Sequence, residues 1–232
     1  VDCSDPTRST GDAAGDTYRG IERFELTRFN DQFVGSANAD SVLGGAGDDV
    51  LATGGGDDWL SGGAGADVLN GGAGWDVANF APSTVAISID RAAPANGTGD
   101  AAGDTYIGIE RFILSNFNDS YSGNEDSEFI SAEAGNDVID AKGGNDVLQG
   151  GAGSDSFVFA HGFGRDTITD FATEAGGDVI KLDSGLFGNF SAVRDAANQV
   201  GSDTVIRFDT GDFLTLTGVS LDTLTADDFR FV

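Results

Sequence analysis

Acidic residues recur every nine positions in two stretches of the chain, and most of them close a turn rich in glycine. Glycine reaches backbone angles that other residues avoid, so such a turn can bend with its carbonyl oxygens facing inward. A carboxylate at the end of the turn adds charge, and calcium takes about six to eight carboxylate and carbonyl oxygens as ligands. The recurring acids are Asp31, Asp40, Asp49, Asp58, Asp67 and Asp76, then Asp119, Glu128, Asp137, Asp146 and Asp155.

A mostly apolar residue follows each acid two positions later, as Leu51 follows Asp49 and Ile139 follows Asp137. The three residues after the acid therefore predict a very short strand whose single apolar side chain points towards a core. Two nine-residue units make one coil with a strand on each side, so turns eighteen residues apart stack and can share an ion. A flexible glycine-rich linker would explain the composition, but it gives no reason for the fixed phase.

From Gly44 the chain reads GGAGDDVLA, TGGGDDWLS, GGAGADVLN and GGAGWDVAN, which resembles the calcium-binding nonapeptide G-G-x-G-x-D-x-U-x of RTX proteins. The resemblance implies an all-β chain that forms a right-handed parallel β-roll in two tandem modules, followed by a β-rich cap at the C-terminus. It also implies several bound calcium ions, roughly six or seven.

We expect the ions to lie between acids eighteen residues apart, in the pairs Asp31/Asp49, Asp49/Asp67, Asp40/Asp58, Asp58/Asp76, Asp119/Asp137 and Asp137/Asp155. The predicted metal-binding residues also include the second and fourth residues of the repeats, namely Gly45, Gly47, Gly54, Gly56, Gly63, Gly65, Gly72, Gly74, Gly135, Gly144, Gly151 and Gly153. The loop before Glu128 departs furthest from the pattern. Glu133 and Lys142 replace second-position glycines, which a carbonyl ligand tolerates if their backbone angles allow it.

A longer segment occurs twice, because Gly11–Gly35 returns as Gly99–Gly123 with most positions identical. Asp12, Asp16, Asp100 and Asp104 in its G-D-A-A-G-D-T phrase are either further calcium ligands or ordinary turn formers. The chain opens inside the counterpart of a predicted strand at 85–90, so we expect a C-terminal piece of a longer protein. The predicted layout is a leader at 1–28, an array at 29–80, a second leader at 81–116, a second array at 117–158 and a cap at 159–232.

The tail differs from the arrays, because aromatic residues become dense after Asp155. Its sequence resembles the segment that follows the repeats in serralysin-type secreted proteases and in other proteins exported by type I secretion. The residues that carry the resemblance read GSDSFVFAHGFGRDTITDFATEAGGDVIKLD. The final residues, 227–232, are similar to the uncleaved signal read by that export machinery, although a plain edge strand explains them as well. The resemblance implies a secreted protein, extracellular or at the cell surface.

The formal net charge of −27 and the 36 glycines favour an expanded chain when no counter-ion is bound. We therefore expect disorder at low calcium and folding after export, where calcium is available. Nucleic acid and anionic membranes are poor partners for so acidic a chain, and no apolar run is long enough to span a bilayer. The single cysteine, Cys3, excludes an internal disulfide.

Catalysis is not predicted within these residues. The only histidine, His161, excludes an H-E-x-x-H site, and no G-x-S-x-G motif occurs. Three classes of function remain: a calcium-binding folding and export module of a larger secreted protein, a surface-layer or adhesin protein that self-assembles with calcium, and an accessory module that binds polysaccharide. The first is our prediction, and the third lacks a basic stripe for an anionic polymer.

Overall fold

The computed structural model describes residues 1–3, 5–14, 16, 18, 20–174, 176–208 and 211–232, without the side chains of residues 6 and 12. The chain divides into two compact units, Val1–Ile113 and Leu114–Val232. Short parallel strands make up most of the regular structure in both units. The predicted all-β fold, a parallel β-roll, is confirmed.

The first unit winds through two parallel sheets, with consecutive array strands on opposite sheets. Strand pairing joins residues eighteen apart, for example Val42 with Leu60 and Leu51 with Leu69. The sheets have the orders β1-β3-β5-β7-β10 and β2-β4-β6-β9. The strands are β1 (Arg23–Glu25), β2 (Gln32–Val34), β3 (Ser41–Ala46), β4 (Val50–Gly55), β5 (Trp59–Ala64), β6 (Val68–Ala73), β7 (Val77–Asn79), β8 (Ser88–Asp90), β9 (Thr105–Ile107) and β10 (Arg111–Ile113), and 3₁₀ turns span Pro6–Arg8, Gly11–Ala13, Pro94–Asn96 and Gly99–Ala101.

One apolar side chain per strand fills the core between the two sheets of this unit. Each of these residues lies two positions after an acid, and the side chains of Phe33, Val42, Leu51, Leu60, Leu69 and Ala78 are fully buried. On the other face of their strands, Val50 beside Leu51 and Trp59 beside Leu60 are exposed. Burying one such side chain stabilises the fold by roughly 1.5–3 kcal/mol.

An excursion interrupts the roll after β7. Residues 80–104 include β8, which belongs to neither of the two sheet orders given above, and two of the 3₁₀ turns. The chain then returns in register, because β9 pairs with β6 and β10 pairs with β7. The residues after the second G-D-A-A-G-D-T phrase therefore form the next coil of the roll.

The second unit repeats the plan, with sheet orders β12-β14-β16-β20-β19-β18 and β11-β13-β15-β17-β21. Only β18, β19 and β20 pair antiparallel in the described part of this unit. The strands are β11 (Ser120–Asn124), β12 (Phe129–Ser131), β13 (Val138–Lys142), β14 (Val147–Gln149), β15 (Ser156–Phe159), β16 (Arg165–Ile168), β17 (Val179–Leu182), β18 (Ala197–Val200), β19 (Asp203–Arg207), β20 (Phe213–Leu216) and β21 (Phe229–Phe231), with helix α1 at Phe190–Ala196 and 3₁₀ turns at Leu221–Thr223 and Ala226–Asp228.

Aromatic side chains close the core of the second unit where the nine-residue repeats stop. The Phe163 ring lies 4.9 Å from the ring of Phe159 and 5.0 Å from that of Phe208, measured between centroids. The parallel winding continues meanwhile, since β16 pairs with β14 and β17 pairs with β15. The parallel pairing therefore continues past the nonapeptides, and it extends further because β20 pairs with β16 and β21 pairs with β17.

We predict that Leu51→Ala destabilises the calcium-bound fold by about 2–5 kcal/mol, because it removes a fully buried side chain from the stacked core. Val50→Ala is the matched control on the opposite face of the same strand and should change stability by less than about 1 kcal/mol. Urea unfolding in saturating calcium measures both. Equal losses in the two variants would contradict this account of the core.

Candidate metal sites

The array acids of the first unit form two columns, in which each carboxylate is held by the coil before it. Column one contains Asp31, Asp49 and Asp67, and column two contains Asp40, Asp58 and Asp76. The backbone N–H of Asp31 donates to Oδ1 of Asp49 at 2.8 Å, and that of Asp49 donates to Oδ1 of Asp67 at 2.8 Å. The second column repeats this bond at 2.7 and 2.9 Å. Acids eighteen residues apart therefore lie above one another in the first unit.

The second oxygen of these carboxylates, Oδ2, is the feature that indicates a metal site. In the described part of the chain, this Oδ2 atom is buried and accepts no hydrogen bond in Asp40, Asp49, Asp58, Asp67, Asp76, Asp137 and Asp155. A buried carboxylate oxygen without a donor is costly, and native structures rarely leave one. A cation held between these oxygens removes the cost.

First-position glycines leave the space beside these oxygens open. A Cβ atom on Gly44 would lie 2.4 Å from Oδ2 of Asp49 and 2.5 Å from the carbonyl oxygen of Gly62. A Cβ atom on Gly62 would in turn lie 2.2 Å from Oδ2 of Asp67. A carboxylate oxygen of one coil and a carbonyl oxygen of the next therefore converge beside Gly44, and a carboxylate oxygen approaches Gly62 in the same way.

The predicted second- and fourth-position glycines all have positive φ, from 87° at Gly151 to 152° at Gly65. They also carry the closest approach between coils, because a Cβ atom on Gly63 would lie 2.0 Å from the Gly45 carbonyl oxygen. Glu133 and Lys142 adopt φ values of 67° and 72°, so their backbone angles do allow the same turn. Which of these carbonyls bind an ion stays a prediction.

The first acid of each array differs from those that follow. Oδ2 of Asp31 accepts hydrogen bonds from the backbone N–H and hydroxyl of Thr27, at 2.8 and 2.7 Å. Oδ2 of Asp119 likewise accepts from the backbone N–H and hydroxyl of Ser115, at 2.7 and 2.8 Å. These two carboxylates already stabilise their own turn, so they offer less to a metal than the rest of their columns.

Glu128 keeps its place in the second unit despite its extra methylene. Its backbone N–H donates to Oδ1 of Asp146 at 2.8 Å, as the array aspartates do. The hydroxyl of Tyr121 donates to its Oε2 atom at 2.6 Å. A tyrosine thus compensates for the longer side chain in the least regular loop.

The columns of the first unit continue past the nonapeptides. The backbone N–H of Asp67 donates to Oδ1 of Asp104 at 2.8 Å, although 37 residues separate the two. That of Asp76 donates to Oε2 of Glu110 at 2.9 Å, across 34 residues. Among the other leader acids, Asp16 is exposed and Asp100 is half-buried, and the side chain of Asp12 lies outside the described residues.

The same continuation occurs in the second unit, at Asp166 and Asp178. Asp146 donates its backbone N–H to Oδ1 of Asp166, and Asp155 does so to Oδ1 of Asp178, both at 2.9 Å. Sequence reasoning missed both acids because insertions stretch their spacing to 20 and 23 residues. The run Gly162-Phe-Gly-Arg-Asp166, which keeps the G-x-G-x-D order, is the signal that could have found the first.

Burial raises the pKa of the column aspartates, and neighbouring carboxylates raise it further. The pKa rises to about 6 at Asp67, Asp76 and Asp155, and to about 7 at Asp137. Burial contributes most in each case. Part of these groups therefore holds a proton near neutral pH unless a cation replaces it.

The donor set fits calcium. Within the described residues, no three acidic, histidine or cysteine side chains cluster in the manner of a side-chain-only metal centre. The available oxygens are instead single aspartate oxygens and the carbonyls of the glycine turns. Hard cations such as calcium bind carboxylates and carbonyls together, whereas zinc prefers nitrogen and sulfur. Stacked coils with such columns define a calcium-binding β-roll.

Comparison with known families agrees with this class. A family model described as the RTX calcium-binding nonapeptide repeat matches in four copies, at residues 16–51, 25–60, 52–80 and 122–157. Residues 16–80 and 122–157 therefore carry RTX calcium-binding nonapeptide repeats, and the predicted resemblance is confirmed. No curated protein matches the sequence.

Among solved structures, the chain is similar to the extracellular lipase LipA from Serratia marcescens. The two share 20% sequence identity with a TM-score of 0.37, over 87% of this chain. The chain spans 40% of the length of that lipase. None of the helices described in the structure has the length and apolar character needed to cross a membrane.

We predict that Gly63→Ala destabilises the calcium-bound protein by more than about 1 kcal/mol, because alanine disfavours positive φ and its Cβ would overlap the Gly45 carbonyl. Gly55→Ala is the matched control in the same array, since its Cβ would meet nothing closer than 3.6 Å. Thermal unfolding in excess calcium measures both. A Gly63→Ala protein as stable as Gly55→Ala would contradict the close stacking of the turns.

A second prediction concerns pH in the absence of calcium. The folded pKa values of these aspartates lie above the ordinary value of 3.8, so the folded state binds protons more tightly than the unfolded chain. The calcium-free fold should therefore be most stable at acid pH and should lose stability as pH rises from about 4 to about 7. Circular dichroism in chelator should show more β-structure at pH about 5.5 than at pH about 8. The opposite trend would contradict the buried position of the carboxylates.

Proposed function

We propose that this chain is a calcium-binding module of a larger secreted protein, which stays unfolded where calcium is scarce and folds when calcium fills the columns. The observation that carries the proposal is the set of buried Oδ2 atoms without hydrogen-bond donors, at Asp40, Asp49, Asp58, Asp67, Asp76, Asp137 and Asp155. The proposed ligands are the array acids together with carbonyl oxygens of the glycine turns, for roughly six or seven ions.

Electrostatics supports folding that depends on the ion. The chain has 39 acidic residues against 12 lysines and arginines, and the columns bring buried carboxylates together. Each ion supplies two positive charges at the point where two coils meet. Since the complete site exists only in the folded state, the free energy of ion binding adds directly to folding stability.

Calcium concentration connects this folding to a location outside the cell. Extracellular calcium modules typically bind with dissociation constants of about 10⁻⁴–10⁻³ M, far above cytosolic calcium. A module of that affinity remains unfolded inside the cell and folds outside. We therefore propose an extracellular or cell-surface location.

The folded position of residues 227–232 supports export before folding. Strand β21 pairs with β17, the Phe229 side chain is buried, and Thr225 and Asp228 form a capping box just before the strand. Residues 227–232 are therefore half hidden in the folded cap. We propose that type I secretion machinery reads them while the chain is still unfolded.

We assign no catalysis to this chain. His161 is exposed, and the acids that could imitate a catalytic pair are the acids of the columns. Any enzymatic activity of the proposed larger protein belongs to other parts of it.

The test is a calcium titration of protein from which a chelator has removed bound metal. Circular dichroism and light scattering monitor the titration, and magnesium is the ionic control. We predict a coil-to-β transition at about 10⁻⁴–10⁻³ M calcium that magnesium does not produce. A chain that is fully folded in chelator would contradict the proposal. Scattering that grows with the transition would indicate calcium-dependent self-assembly, as in a surface-layer or adhesin protein.

Two variants test whether the calcium-dependent transition requires the carboxylates of the columns. Asp58→Asn removes a charge that serves both the Asp40 and the Asp76 side of its column, so its transition should need several-fold more calcium. Asp222→Asn is the matched control, since its side chain is 91% exposed. Equal transitions in the two variants would show that calcium acts elsewhere.

A further inference from the structure

One buried carboxylate outside the nonapeptides has the same surroundings as the column aspartates. The Asp104 side chain is 1% exposed, and its Oδ1 atom accepts the hydrogen bond from the Asp67 backbone N–H. Its Oδ2 atom is buried, and no donor of the described residues lies within hydrogen-bond distance of it, although the Tyr106 side chain is close enough to lower the pKa of Asp104. Asp104 therefore has one buried carboxylate oxygen that is available to a cation.

A second such oxygen lies on the coil below it. Oδ1 of Asp67 accepts from Asp49, and its Oδ2 atom is buried without a donor among the described residues. Thr105 donates its backbone N–H to the Asp67 carbonyl at 2.8 Å, which sets Asp104 directly above Asp67. The two carboxylates repeat the relation that Asp49 and Asp67 have to each other.

The turn that precedes Asp104 lies against the turn that precedes Asp67. A Cβ atom on Gly103 would lie 2.9 Å from the Cβ of Ala66, and the 3₁₀ turn Gly99–Ala101 contacts β5. Gly99 and Gly103 have φ values of 65° and 89°, so this turn also reaches the left-handed region. The two turns therefore pack against each other.

Nothing in the nonapeptide pattern predicts this position. The turn reads Gly-Asp-Ala-Ala-Gly-Asp, with Asp100 and Ala102 where the repeat has its glycines. The chain also takes 37 residues, rather than eighteen, to pass from Asp67 to Asp104. The matched family segment around Asp67 ends at residue 80.

We propose that Asp67 and Asp104 hold a calcium ion that fastens the end of the 80–104 excursion to the last nonapeptide coil of the first unit. The carboxylate oxygens supply the charge, and carbonyls of turns 62–66 and 99–103 supply the remaining ligands. The ion stabilises the return of the chain into β9, on which the next coil depends. The inference extends calcium binding beyond the repeats and therefore rests on the proposed function.

The alternative occupant of this position is a proton. Burial, and after it the charge of the Asp67 carboxylate, raise the pKa of Asp104 to about 8 despite hydrogen bonds from the Asp67 backbone and the Tyr106 side chain. A protonated Asp104 needs no ion, so the number of ions bound decides between the two.

Isothermal titration calorimetry of Asp104→Asn, compared with the unaltered chain, counts the ions. We expect Asp104→Asn to bind one calcium ion fewer while it keeps the coil-to-β transition of the arrays. Asp100→Asn is the matched control in the same turn, where the side chain is half-buried, and should keep the full number. An unchanged number and affinity in Asp104→Asn would overturn the proposal. If the unaltered chain binds no calcium at all, the proposed function fails instead.

Limited proteolysis measures how firmly residues 80–104 are held in the folded protein. The Arg91 guanidinium lies over the Phe112 ring at 5.2 Å, and tryptic cleavage after Arg91 requires this segment to open. In saturating calcium we expect cleavage to be roughly ten-fold faster in Asp104→Asn than in Asp100→Asn. Equal rates would count against the proposal. If Asp104→Asn does not fold, a crystal of the calcium-bound chain must show an anomalous peak between Asp67 and Asp104, and its absence would overturn the inference.

Discussion

The structure depends on one constraint, which is that every coil buries a carboxylate above the carboxylate of the coil before it. Paired strands lie about 4.8 Å apart, and two like charges near that distance repel by several kcal/mol when water is largely excluded. A backbone N–H group donates a hydrogen bond to the Oδ1 atom of a stacked carboxylate such as Asp49 or Asp67. The Oδ2 atom of the same carboxylate has no donor among the described residues and is free to bind a cation. The same stacking that forms the sheets therefore creates both the repulsion and the sites that relieve it.

The high glycine content of the turns results from this stacking rather than from a need for flexibility. At Gly63 the coils approach so closely that a Cβ atom would overlap the Gly45 carbonyl, and the φ of 97° excludes most other residues. Glu133 and Lys142, which are exposed, show that a side chain fits the second position when φ falls near 70°. Composition, close stacking and ion sites are thus three consequences of an eighteen-residue coil.

Most of this arrangement can be predicted from the sequence, because the period fixes it. The nine-residue spacing predicts the strands, the buried residues such as Leu51, and the acids that lie above one another. It fails where insertions stretch the period, at Glu110, Asp166 and Asp178, since a periodic pattern cannot indicate which later acid re-enters the column. It also cannot show that Asp31 and Asp119 already accept hydrogen bonds within their own turns. The positions of Glu110, Asp166 and Asp178 depend on how a longer loop folds back, whereas the bonds of Asp31 and Asp119 depend on the local conformation of a turn.

The most direct test is hydrogen–deuterium exchange, measured segment by segment with calcium and with chelator at neutral pH. We predict that the amides of β3 to β6 exchange like an unstructured chain in chelator and become strongly protected in calcium, because the columns cannot close without the ion. Equal protection of these strands in both conditions would show that the roll is stable without the metal, and would contradict the central claim.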